Sequence, residues 1–77
     1  MNTVSINKTI KGYRELKNLT QAYMAEKTGM SQGNYSKIEL GTVKLTYETF
    51  VKICAVLDIE QSVLIESNKK MIYNLSK

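Results

Sequence analysis

Residues 19–41 read LTQAYMAEKTGMSQGNYSKIELG, and they contain two short helix-forming segments separated by a glycine. Thr20 and Ser31 precede the two segments, where a hydroxyl accepts hydrogen bonds from the free N–H groups of the first helical turn. Gly29 and Gly41 follow them, and glycine readily ends a helix in the left-handed conformation. Two short helices joined by a short turn that contains glycine are typical of the helix-turn-helix motif. The stretch therefore predicts a helix-turn-helix over about residues 20–40.

The sequence before this motif also favours a helix. Proline is absent from the chain, and Ile6, Ile10 and Tyr13 lie three or four residues apart, with Leu16 continuing the same apolar stripe. Asn18 follows, and asparagine tolerates the left-handed conformation that ends a helix. We therefore predict a first helix over about residues 5–17.

The sequence after the motif predicts two more helices. In LTYETFVKICAVLDI, residues 45–59, Thr46 is a suitable N-cap, and Leu45 and Phe50 occupy the two positions of a hydrophobic staple. A short fifth helix is expected over about residues 60–66, with Val63 and Leu64 facing the core. The expected inward stripe of the fourth helix is Phe50, Ile53, Cys54 and Leu57.

These segments predict an all-α fold in which five helices form one domain, residues 1–67. A short C-terminal tail, residues 68–77, follows the domain and contains the apolar residues Met71, Ile72 and Leu75. Ten residues are too few for a stable isolated helix, so we expect the tail either to pack on another surface or to fray. The tail and the fifth helix are the expected dimerisation elements.

The composition of the 77-residue chain argues against catalysis and metal binding. The chain has no histidine and one cysteine, which excludes histidine acid–base chemistry, the usual zinc ligand sets and an internal disulfide. Cys54 lies on an apolar helix stripe, which favours a core position over a nucleophile. We expect no enzymatic activity, no metal and no cofactor. The sequence shows neither a signal peptide nor a membrane-spanning run, which favours a cytoplasmic protein.

The charge of the chain leaves two interpretations open. Eleven basic and seven acidic residues give a net charge of +4. This balance is compatible with a polyanionic partner and equally with ordinary surface lysines.

The third helix has two chemically different sides. Tyr35 and Ile38 are three residues apart and are expected to point inward with Met30. The opposite side carries small or hydrogen-bonding residues, which suits a helix that enters the major groove of DNA. Glutamine pairs bidentately with adenine, and lysine reaches guanine acceptors or a phosphate. The outward residues are Gln32, Gly33, Ser36, Lys37 and Leu40, with Asn34 at the edge.

Gly33 is unexpected in the first turn of a helix, because glycine is the poorest helix former after proline. One interpretation is that the missing side chain lets the helix approach a base pair or a thymine methyl group closely. The other is that glycine is merely tolerated at a solvent-exposed position. The sequence does not distinguish between them.

With these residues in place, the chain from about Ile6 to Leu64 resembles the Cro/phage-repressor-type, or XRE-type, helix-turn-helix family. The resemblance implies a five-helix, lambda-repressor-like DNA-binding domain with a short C-terminal tail. The matching residues are Leu19, Thr20, Gln21, Ala25, Gly29, Ser31, Ile38, Glu39 and Gly41.

The resemblance also implies roles for individual side chains. Gln21 matches a glutamine that hydrogen-bonds a DNA phosphate and braces the recognition helix. Lys44 is the charged residue of the 41–45 loop, which matches a phosphate-gripping loop, and Arg14 and Glu39 match an ion pair that ties the first helix to the third. Gln32, Gly33 and Lys37 match base-reading positions, with Ser36 close by, and Asn34 matches a backbone-contacting position. The implied DNA-binding set is Gln21, Ser31, Gln32, Gly33, Asn34, Ser36, Lys37 and Lys44.

The expected function is therefore sequence-specific binding of double-stranded DNA by a small transcriptional regulator. A homodimer on a palindromic operator is expected, because one subunit reads only half of such a site. The alternative is a protein-interaction module, such as an antitoxin-like partner, with weak and sequence-independent DNA binding.

Overall fold

The computed structural model describes residues 5–66, and every regular element in that range is a helix. The first four helices are α1 (Ile6–Leu16), α2 (Gln21–Thr28), α3 (Gln32–Leu40) and α4 (Tyr47–Leu57). A fifth helix, α5, begins at residue 61 and is described through residue 66. The predicted all-α fold of five helices is thus confirmed. The predicted tail, residues 68–77 with Met71, Ile72 and Leu75, lies outside the described residues.

The beginning of each of the first four helices is fixed by a hydroxyl side chain. An N-cap oxygen accepts a hydrogen bond from the backbone N–H three residues later in each helix, which satisfies one of the donors that a helix start leaves free. The four N-caps are Ser5, Thr20, Ser31 and Thr46.

The helix ends use the left-handed conformation. Gly29 and Gly41 end α2 and α3 with φ angles of 77° and 79°, a region in which a side chain is strained. Asn18 and Asp58 adopt φ angles of 59° and 57° after α1 and α4. The two glycines therefore set the length of the helices on both sides of the central turn.

The core lies where the five helices meet. Each helix contributes at least one fully buried side chain, and the small Ala25 of α2 is also buried. The helix α2 packs against both α3 and α4, while α1 packs against α3. The fully buried large side chains are Ile10, Met24, Tyr35, Ile53, Leu57 and Leu64.

Two residues expected in the core are exposed instead. Leu16 is 77% exposed, because it lies in the last turn of α1, about 120° around the helix from the buried Ile10. Arg14 takes the inward position in that turn and is buried. Val63 of α5 is 43% exposed, whereas its neighbour Leu64 is fully buried. Within residues 5–66, no helix has the length and apolar character needed to cross a membrane.

Candidate nucleic-acid interface

The helix α3 turns one side to the core and the other to solvent. Tyr35, Ile38 and Glu39 are at most 5% exposed. At about 100° of rotation per residue, the direction opposite these three side chains passes closest to Gly33, with Lys37 and Leu40 on either side. All three of these outward residues are exposed, and Leu40 is 72% exposed. The apolar and polar patterns of α3 thus lie on opposite sides of one short helix.

The other residues at the start of α3 flank this outward surface. Gln32 and Asn34 are exposed, and Ser36 is half-buried. The Ser31 hydroxyl accepts a hydrogen bond from the Asn34 backbone N–H at 3.1 Å. Ser31 therefore stabilises the start of α3 as its N-cap. Its hydroxyl uses only its oxygen for this contact, so its hydrogen remains available as a donor.

A buried ion pair fixes α3 to α1. The Arg14 Nε donates to Glu39 Oε2 at 2.6 Å, and Nη2 donates to Glu39 Oε1 at 3.2 Å. Arg14 Nη1 also donates to the Leu19 backbone oxygen at 2.7 Å. This two-point geometry is the one that the planar guanidinium makes best with a carboxylate. The pair holds the end of α1, the start of the motif and the last turn of α3 together.

Two more side chains complete what we term the Glu39 cluster, which consists of Arg14, Gln21, Tyr35 and Glu39. Gln21 is the first residue of α2, and its Nε2 donates to Glu39 Oε1 at 3.0 Å. The Tyr35 hydroxyl is buried beside the same carboxylate without a hydrogen bond of standard geometry. Burial, followed by the negative charge of Glu39, raises the pKa of Tyr35 well above its usual value, so this hydroxyl stays protonated.

The Glu39 cluster also determines the ionisation of its carboxyl group. Burial acts to raise the pKa of Glu39, but the hydrogen bonds from Arg14 and Gln21, together with the positive charge of Arg14, outweigh this effect. The pKa of Glu39 therefore lies below its usual value of 4.5. The folded protein thus keeps a negative charge at this buried position at neutral pH.

We expect this depressed pKa to make the protein sensitive to acid. The folded state binds the Glu39 proton more weakly than the unfolded state, so the stabilisation is fully present above pH 4.5 and is lost as pH falls through the folded pKa. Urea unfolding between pH 7 and pH 3 measures this loss. Between pH 7 and pH 3, the free energy of unfolding of Glu39→Gln should fall by less than that of the wild type. The free energy of unfolding of Glu15→Gln should fall by as much as that of the wild type. Equal losses in all three proteins would contradict the assignment to Glu39.

The structure brings most of the predicted DNA-binding residues together at α3. Gln32, Gly33, Asn34, Ser36 and Lys37 share one short helix, and the hydrogen bond to Glu39 places Gln21 at the last turn of that helix. Lys44 is exposed in the segment between α3 and α4, three residues beyond the Gly41 C-cap. Residues 5–66 contain no group of side chains suited to hold a metal ion.

One contact that positions α3 was missed by sequence reasoning. The Asn7 amide nitrogen of α1 donates to the Ile38 backbone oxygen at 2.5 Å. This carbonyl belongs to the last turn of α3, where helix carbonyls lack partners within the helix. The two residues are 31 positions apart, and no local motif indicates such a pairing. The end of α3 is therefore held from α1 by Asn7 as well as by Arg14.

Comparisons with known proteins agree with this architecture. A family model described as helix-turn-helix matches residues 10–60, more than half of the chain. An uncharacterised HTH-type transcriptional regulator of Bacillus subtilis, YqaE, is 34% identical over 73 residues, which cover 92% of this chain and 63% of that protein. The chain thus spans less than two thirds of the length of this relative.

Solved structures show the same fold. One crystal structure of the clp gene regulator ClgR from Corynebacterium glutamicum matches with a TM-score of 0.85 at 18% identity, covering 92% of this chain and 76% of that one. A second ClgR structure matches with a TM-score of 0.81 at 19% identity, covering 87% of both chains. Because the helix-turn-helix model spans most of the five-helix domain, this chain belongs to the XRE-type helix-turn-helix family.

Proposed function

We propose that this protein is a transcriptional regulator that binds a specific double-stranded DNA operator, with α3 in the major groove. The observation that carries the proposal is the exposed side of α3, which is centred on Gly33 and not covered by any other part of residues 5–66. An α-helix with its side chains is about 10–12 Å in diameter, and the major groove is about 12 Å wide. The buried contacts of the opposite side give α3 a fixed orientation, which base recognition requires.

The first two turns of α3 are assigned to the bases. Gln32 is exposed at the helix start, where its amide is free to pair with the N6 and N7 atoms of an adenine. Lys37 lies on the outward side of α3, one turn beyond Gly33, and reaches a guanine or a phosphate, with Ser36 next to it in the chain as a hydroxyl donor. Asn34 and Ser31, at the edge of this surface, are assigned to the DNA backbone.

Gln21 and Lys44 are assigned to phosphates. A glutamine amide has two N–H donors, and the Gln21 amide uses one of them on Glu39. The second donor is assigned to a phosphate, so that the buried cluster orients the side chain that contacts DNA. Lys44 supplies an exposed positive charge from the segment after α3. Such contacts position a protein on DNA without reading its sequence.

The active form is proposed to be a homodimer on a palindromic operator in the cytoplasm. Helix-turn-helix dimers place two recognition helices one turn of DNA apart, so both reach the same side of the duplex. The described surface near α5 offers apolar side chains to a second copy. Tyr47 at the start of α4 is 71% exposed, and Val63 and Ile65 of α5 are 43% and 40% exposed.

Selection of binding duplexes from a random pool tests the base-reading assignment. The wild type should enrich a palindromic sequence, and Gln32→Ala should lose about 1–3 kcal/mol of discrimination at one position of each half-site. Lys44→Ala is the matched control, because it should weaken binding to all sequences alike. Equal losses on every duplex for both variants would contradict base reading by Gln32. Failure to enrich any sequence would favour the protein-interaction alternative.

A further inference from the structure

The glycine at position 33 has no explanation in the fold. Within residues 5–66, the positive φ angles belong to Gly29, Gly41, Asn18 and Asp58, and Gly33 is not one of these. A Cβ added at Gly33 would meet no atom within 4 Å. The backbone therefore does not need a glycine here, and the packing does not need one either. Alanine at this position would favour the helix, since glycine loses more conformational freedom on folding.

The position of Gly33 on the helix indicates a role on the outward surface of α3. Gly33 lies about 170° around α3 from the mean direction of Tyr35, Ile38 and Glu39, the three residues that face the core. It is therefore the point of α3 furthest from the protein interior. Lys37 lies one turn further along the same exposed side. If α3 enters a groove, its backbone at Gly33 is the part that comes closest to the base pairs.

We propose that Gly33 is a specificity-determining residue, at which the backbone of α3 packs directly against the 5-methyl group of a thymine. This proposal rests on the proposed DNA-binding function and adds the group that is recognised. A glycine Cα offers an apolar contact surface and no side-chain hydrogen bond. Among the groups that base pairs present in the major groove, the thymine methyl is the apolar one.

The chain contains a matched control for this position. Gly12 is also an exposed helical glycine, and a Cβ added there would likewise meet no atom within 4 Å. It lies in α1, outside the helix-turn-helix. Both Gly12→Ala and Gly33→Ala should raise the melting temperature by a few degrees, about 2–6 °C. This increase verifies that each variant is folded before its DNA binding is compared.

The test combines these variants with operators in which single thymines are replaced by deoxyuridine, which lacks only the methyl group. The wild type should bind about fourfold more weakly when one particular thymine of a half-site is replaced, because one buried methyl contact is lost. Gly33→Ala should bind the thymine operator about tenfold more weakly or worse, because its methyl group occupies the same space. Gly33→Ala should regain affinity on the deoxyuridine operator. It should therefore prefer deoxyuridine to thymine at this position, whereas the wild type prefers thymine. Gly12→Ala should behave as the wild type.

The outcomes separate this inference from the proposed function. If an operator is bound specifically but deoxyuridine affects the wild type and Gly33→Ala equally at every position, the thymine contact is refuted and DNA binding stands. If Gly33→Ala binds the operator as tightly as the wild type does, direct approach of the backbone is refuted. If no duplex is preferred over random DNA by any of the three proteins, the proposed function itself fails.

Discussion

Glu39→Met should destabilise the protein by about 3–5 kcal/mol, because it leaves the buried Arg14 guanidinium without its carboxylate. Arg14 is 8% exposed, so water cannot replace the lost partner without opening the structure. A domain of 77 residues has a total stability of about 4–12 kcal/mol. The single substitution should therefore remove a large part of the free energy of unfolding, which urea denaturation at pH 7 measures.

The double variant Arg14→Met/Glu39→Met distinguishes the cost of an unpaired charge from the net contribution of the pair. Replacement of both partners by apolar side chains of similar size removes the uncompensated charge, so the double variant should be at least as stable as either single variant. Glu15→Met is the matched control. Glu15 lies 3.8 Å from Arg14 but its side chain is 58% exposed, so this change should cost at most about 1 kcal/mol. A loss from Glu39→Met no larger than that of the control would refute a stabilising role for the buried pair.

The sequence predicted the helix ends well, because the chemistry that sets them is local. Hydroxyl N-caps such as Thr20 and Ser31 act within three residues, and the left-handed conformation of Gly29 and Gly41 depends on the absence of their own side chains. The first helix was predicted over 5–17 and spans Ile6–Leu16. Such boundaries follow from residues that are neighbours in the chain.

The errors at Leu16 and Val63 have a different origin. Helical spacing indicates which residues share a face, but it does not tell where along the helix a packing partner ends. Leu16 lies in the last turn of α1, where Arg14 turns to the interior and makes the contacts with Glu39 and Leu19. A residue normally counted as polar thus takes the place of the apolar one.

The sequence predicted which residues lie on the outward side of α3, but it did not predict all the hydrogen bonds that hold α3 in place. The opposed faces of α3 follow from its own sequence, and Arg14 and Glu39 were expected to pair from the family resemblance. Gln21 was expected to brace α3, but its partner Glu39, 18 positions away, was not named, and the contact from Asn7 to Ile38, 31 positions away, was not expected. Pairings of this kind depend on how the helices cross, which residue spacing within one helix does not specify.

Operator affinity should fall steeply as the salt concentration rises. Two lysines, Lys37 and Lys44, are exposed on the proposed DNA-binding surface of each subunit. If a dimer uses all four lysines on phosphates, the slope of log affinity against log salt is about −3.6, and affinity falls about 150-fold between 50 and 200 mM salt. Fluorescence anisotropy with a labelled operator measures this slope. A half-operator bound by one subunit should give about half of it, so equal slopes for the full and the half-operator would contradict the dimer.

The variant Lys44→Gln measures how much of the slope of log affinity against log salt comes from the Lys44 side chain. Removal of one phosphate contact from each subunit should make the slope shallower by about 1.8 and weaken specific and random duplexes to the same extent. Lys52→Gln removes the same charge from an exposed position on α4, outside the proposed interface, and is the matched control. A general effect of net charge would change the slope equally in both variants. Only a direct contact of Lys44 with DNA predicts that the two slopes differ, because counterions are released where a lysine replaces them at the phosphate.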